Sequence, residues 1–87
     1  MNRLEVKPEA LAEYQRLATA EAIRAVKEEE GVLGMFVTAE HDRPNIIHTM
    51  ELYSDAAGYK RYVESGQYRK FQGKVSAMFT SAARMRS

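Results

Sequence analysis

Few side chains in this 87-residue chain combine reactive chemistry with a setting that would hold them still. The first is Glu51, a carboxylate in the middle of the β-rich run "NIIHTMELY". An acid in that position is either a general base whose proton affinity burial has raised, or a strand-edge carboxylate paired with Lys or Arg. Tyr53 follows two residues later, on the same side of a strand. It either stacks on or hydrogen-bonds an aromatic ring, or packs as a core tyrosine with its hydroxyl at the surface. His48 is the one imidazole inside a predicted strand, and alternation points it away from Glu51; a lone strand histidine is most often structural. His41 stands beside Asp42 in a polar connection and reads as solvated. The two histidines show neither metal-ligand spacing nor a third ligand, so no metal site is expected. The last candidates lie in "VESGQYRKF", where Ser65-Gly66 interrupts a helical pattern and Gln67, Tyr68 and Phe71 follow at once. Capping would explain Gln67 and packing would explain Phe71; otherwise the three line the mouth of a pocket.

Composition removes whole classes of function. Thirteen Lys and Arg against twelve Asp and Glu leave a net charge of +1, and the basic residues are scattered. Phosphate recognition needs a clustered basic field, so a nucleic-acid partner is not expected. The absence of cysteine rules out disulfides, thiolate metal sites and a cysteine nucleophile. There is no GxGxxG, P-loop, HExxH or GxSxG motif. No apolar run reaches membrane-spanning length and "MNRLEVKPEA" lacks a signal-peptide core, so a cytoplasmic protein without a membrane partner is expected.

The elements that must position these side chains fit one small domain, residues 1–87. "RLEVK" alternates as a short strand. Pro8 and Glu9 suit a first helical turn, and Leu11, Tyr14, Ala18, Ala22 and Ala25 then mark one apolar helix face up to Glu30, with Gly31 as the stop. Glu13 with Arg16 and Glu21 with Arg24 form i,i+3 pairs on the polar side. "VLGMFVTAE" and "NIIHTMELY" make a hairpin through "HDRP". Ser54 is the expected N-cap of a short helix carrying Tyr59, Tyr62 and Val63 inward. A further helix carries Tyr68, Phe71, Val75 and Met78, and the tail "SAARMRS" suits a last strand. This order is the split βαβ of an α+β, ferredoxin-like fold (βαββαβ, its second helix broken). On the hairpin's second strand Ile47, Thr49, Glu51 and Tyr53 face the helices, while Ile46, His48, Met50 and Leu52 face away. A second subunit is the expected cover for that outer face, making a homodimer.

Taken in register, Glu30-Gly31-Val32-Leu33, Glu51-Leu52-Tyr53 and Ser65-Gly66-Gln67-Tyr68 are similar to motifs of the antibiotic biosynthesis monooxygenase (ABM) family, the quinol monooxygenase-like proteins with a dimeric α+β barrel. The likeness runs over nearly the whole chain. It implies oxidation of a quinol, phenolic or polycyclic aromatic small molecule by O2, with no metal, flavin or haem cofactor. It also implies Glu51 as base, Tyr53 as the aromatic partner at the catalytic centre, and a substrate pocket drawn from Gln67, Tyr68, Phe71, His48 and Phe36. Gln67 stands where the family usually has His, and Tyr53 where many members have Trp; Gln can only donate and accept hydrogen bonds. Haem-degrading relatives depend on a Trp this chain lacks. An RNA-recognition domain shares the topology, but its aromatic signature is missing. Two other readings of the scaffold are an isomerase and a dimeric binding or accessory protein without catalysis.

Overall fold

In the computed structural model, which describes residues 2–80, the alternating opening segment is strand β1 (Asn2–Glu5). A single 3-10 turn at Pro8–Ala10, where proline's missing N–H is harmless, leads into helix α1 (Leu11–Glu28). The hairpin follows as β2 (Val32–Ala39) and β3 (Ile46–Tyr53), then α2 (Ala56–Val63) and α3 (Gly66–Val75). The sheet order is β1-β3-β2 with both pairings antiparallel, so β1 and β2 run parallel with β3 between them. That is the split βαβ of the expected fold. The expected last strand, "SAARMRS", lies outside the described residues. Within the described residues Phe79 pairs with Val6, and Thr80 donates its N–H to the Glu5 carbonyl at 3.0 Å. The Val6 N–H is turned the other way, to Asn45, so this pairing runs along the edge of β1 opposite β3.

Two local expectations change, at Ser54 and at Gly31. Asp55, not Ser54, caps α2, because its carboxylate reaches the Gly58 N–H at 2.7 Å. Ser65 caps α3 by accepting from the Tyr68 N–H while donating to the Tyr62 carbonyl, so the break between the helices is itself hydrogen-bonded. Gly31 is not a left-handed helix stop, since no residue described has a positive φ. Its value is size. A methyl at Gly31 would lie 2.5 Å from the Gly58 Cα, so two glycine backbones touch where α2 meets the start of β2.

The core divides in two. Val6, Tyr14, Ala18, Ile47 and Val75 form one buried cluster; Ala25, Val32 and Tyr62 form the other. On the inner face of β3 the order is Ile47, Thr49, Glu51, Tyr53. The apolar ends of that series join the two clusters, and its polar middle falls between them. A cavity opens there.

Candidate functional site

The cavity measures about 350 Å³ and draws its walls from the sheet, α1, α2 and α3. Register explains which strand residues face it: Met35 pairs with Glu51 and Val37 with Thr49 across β2 and β3, and alternation turns these four toward the helices. Tyr14, Ala18 and Glu21 enter from α1, Tyr59, Tyr62 and Val63 from α2, and Tyr68, Phe71 and Gln72 from α3.

Glu51 is the polar centre. Its Oε2 is buried and has no hydrogen-bond partner among the described residues. A buried acceptor left unmatched is unfavourable by about 1–3 kcal/mol, more if charged, so the site favours anything that brings an N–H or O–H to that oxygen. Among the described residues no Lys or Arg pairs with it.

The rest of the wall is aromatic. Tyr53 meets Tyr59 edge-on at 5.0 Å between ring centroids, lies 6.3 Å from Tyr62, and Tyr62 meets Tyr68 at 4.9 Å. The Tyr68 hydroxyl accepts from the Gln72 side-chain amide at 2.9 Å. Desolvation pushes the Tyr53 phenol up to about 12, helped by the charge of Glu51. The same two causes push Tyr14 up to about 12. Both phenols are therefore neutral hydrogen-bonding groups over the physiological range.

The sequence-predicted residues divide. Glu51, Tyr53, Tyr68 and Phe71 come together around the cavity. Phe36 lies at its boundary, but its ring is on the outer face of the sheet, against the position a Gly34 methyl would take and on the same side as Leu52. Gln67 is exposed; it borders a separate groove between α1 and α3 with Leu17, Lys70 and Lys74. His48 is on the outer face, its Nε2 2.8 Å from the Glu40 carboxylate, and that hydrogen bond is the main reason Glu40 is held below the usual carboxylate range. Neither Gln67 nor His48 is brought to the cavity. Among the described residues no group of three His, Asp or Glu side chains could hold a metal ion. No helix among them is long and apolar enough to cross a membrane.

Of the cavity residues that sequence reasoning does not place in a site, two matter most. From the sequence Tyr62 reads only as inward packing, and Glu21 as part of the polar side of α1. Glu21 is in fact 8% exposed, its carboxylate gripped by both arms of Arg24 at 2.9 and 3.0 Å and by the Tyr62 hydroxyl at 2.6 Å. A signal was present: Glu21 falls three residues after Ala18 and four before Ala25, on the helix's apolar face.

Comparison with known proteins bears on the family and the fold. The family model for antibiotic biosynthesis monooxygenase matches residues 1–74. The chain belongs to that family. A solved structure from Bacteroides thetaiotaomicron that bears the family's name is 29% identical, with a TM-score of 0.86 over 98% of this chain and 77% of its own. A Nitrosomonas europaea structure of the same name is 15% identical, with a TM-score of 0.84 over 98% of this chain and 78% of its own. A Lactobacillus acidophilus structure named as a monooxygenase is 20% identical, with a TM-score of 0.86; this chain spans 98% of its own length but 39% of that protein. Below a quarter identity, the likeness speaks for the fold alone. Comparison with curated proteins finds no match. Membership in the ABM family supports a monooxygenase-like function on a small molecule in general terms.

Proposed function

We propose that this ABM protein is an oxygenase of phenolic or quinol-type aromatic molecules, working without a metal or organic cofactor. The observation that carries this reading is the buried Oε2 of Glu51, unpartnered among the described residues, in a cavity walled by tyrosine and phenylalanine rings. A phenolic O–H supplies the donor that oxygen lacks, and the rings cover the apolar body of the molecule. Glu51 in its carboxylate form takes the phenolic proton. The resulting phenolate is electron-rich enough to reduce O2 itself: one oxygen atom bonds to a ring carbon, and the ring is oxidised to the quinone level. The hydrogens lost from the substrate's C–H and O–H leave with the other oxygen as water, so all four electrons come from the substrate. The protein's part is to bind, orient, remove the proton and keep bulk water away.

Tyr53 flanks Glu51 on the same strand face and presents a neutral phenol to the ligand. Tyr68 and Phe71 close the cavity from α3. Pairing of two copies through the outer sheet face belongs to the same proposal. Leu33, Phe36, Met50 and Leu52 are all exposed, and Phe36, Met50 and Leu52 lie on that face. Oxygen uptake by metal-free protein against a panel of quinols and hydroxyanthrones tests the reading. Uptake with at least one of them, absent from heat-denatured protein, is expected. Tight binding of these compounds without uptake would make the protein a binding module instead.

A further inference from the structure

The network of Arg24, Glu21 and Tyr62 reaches the same cavity as Glu51 but belongs to none of the motifs that drew attention to the site. Its geometry is unusually complete. The Arg24 guanidinium forks onto both oxygens of Glu21, and its Nη1 reaches Glu29 at 3.1 Å and Glu28 at 3.4 Å. Glu21 in turn accepts the phenolic hydrogen of Tyr62 at 2.6 Å, a contact between helices 41 residues apart in sequence. Charge-assisted bonds of this kind are short and directional, and they fix orientation as well as adding energy. Burial comes first and the Glu21 hydrogen bond second in pushing the Tyr62 phenol well above its ordinary value. Its proton is therefore committed to Glu21, and Tyr62 offers the cavity ring surface only. That ring is the one the tyrosine wall is built on, since Tyr53 and Tyr68 both pack against it.

We propose that Glu21 and Tyr62 are positioning residues for the cavity: Glu21, held by Arg24, anchors the Tyr62 hydroxyl, and the anchored ring sets the surface on which an aromatic ligand lies while its polar end meets Glu51. As a statement about ligand this rests on the phenol reading above; as a statement about the wall it does not. Without the anchor the Tyr62 ring is free to tilt, and Tyr53 and Tyr68 lose the surface that fixes them. Phe at position 62 fits the same space and leaves Glu21 still paired with Arg24, so no carboxylate is stranded.

The test has a ligand arm and a ligand-free arm. In the first, naphthol affinity is measured by calorimetry for the wild type, Tyr62→Phe, Glu21→Gln and Glu21→Leu. Tyr62→Phe should weaken binding about tenfold, the cost of ordering a freed ring when the ligand binds. Glu21→Gln keeps an oxygen acceptor and should bind more tightly than Glu21→Leu. Combining Tyr62→Phe with Glu21→Leu should weaken binding no further than the worse single change, because Glu21 acts through Tyr62. In the second arm, the ring-proton NMR resonances of Tyr53 and Tyr68 should move in ligand-free Tyr62→Phe. Unchanged affinity together with unmoved resonances would overturn the proposal, even if Glu21→Leu fails to fold. A wild type that ignores naphthol while the Tyr62→Phe resonances move would uphold the anchored wall and overturn the phenol reading.

Discussion

Replacing Gly31 by Ala should be among the most damaging single-methyl additions to this protein, and the reason lies in one backbone contact. The added carbon would lie 2.5 Å from the Gly58 Cα, 3.1 Å from its carbonyl carbon and 3.2 Å from its oxygen. All three are backbone atoms, so no side chain can swing aside. Either α2 lifts from the sheet or β2 shifts, and the Ser54 N–H to Gly31 carbonyl bond at 2.9 Å resists both. Overpacking of this kind typically destabilises by about 1–3 kcal/mol, and such a short approach belongs at the top of that range. Alanine recovers up to about 1 kcal/mol by restricting the unfolded chain. The net loss is then about 2 kcal/mol, or roughly 8–16 °C in melting temperature for a domain of this size. Gly58→Ala provides an internal control. Its methyl would lie 2.9 Å from the Gly31 Cα. Gly58, however, is in the first turn of α2, where alanine gains about 1 kcal/mol of helix propensity. Its loss should be about half as large. Thermal unfolding followed by circular dichroism decides the matter. A Gly31→Ala protein melting with or above the wild type would show that α2 does not dock as described, and with it would go the placement of Tyr59 and Tyr62.

Other consequences are more local. Tyr14 and Tyr53 have folded values raised to about 12, so their neutral forms favour the folded state below pH ~10, the unfolded value. That contribution is lost as pH rises from ~10 through about 12; for buried Tyr14 it is about 3 kcal/mol. Spectrophotometric titration should show late tyrosine ionisation coinciding with alkaline unfolding; full tyrosine titration near pH ~10 in folded protein would contradict the burial. Ser65→Ala removes the α3 cap and should lower stability by about 1 kcal/mol, read as a melting shift of roughly 4–8 °C. Sedimentation at micromolar concentration should show a homodimer, and Leu52→Glu on the exposed outer face should shift it to monomer; a wild-type monomer would refute the paired arrangement.

The fold was legible because its signals are local. Alternation in β1 and β3, the three-and-four spacing of Tyr14, Ala18 and Ala25, and the Ser65-Gly66 break each depend on near neighbours alone. Parity likewise put Glu51 and Tyr53 on one face and His48 on the other. What was hidden depended on distance in the sequence or on helix phase. Glu21 is a charged residue that burial would ordinarily exclude, and the Arg24 fork together with the Tyr62 hydroxyl, on another helix, makes it acceptable there. Gln67 adjoins Tyr68 in the chain, but each helical residue turns about 100°. That turn leaves Tyr68 and Gln72 on the cavity and Gln67 on the outer groove with Lys70 and Lys74. The Gly31–Gly58 contact is likewise invisible to any local pattern.

The central claim is that Glu51 removes a proton from an oxidisable phenol, and the most direct test compares oxygen uptake by wild type and Glu51→Gln. Glutamine preserves the shape and hydrogen-bonding capacity at the cavity's polar centre but cannot take the proton. With a phenol or quinol that the wild type oxidises, the variant should still bind and should turn over at least about a hundredfold more slowly, the lower range for loss of a general base. A folded Glu51→Gln protein consuming oxygen at the wild-type rate would contradict the assignment.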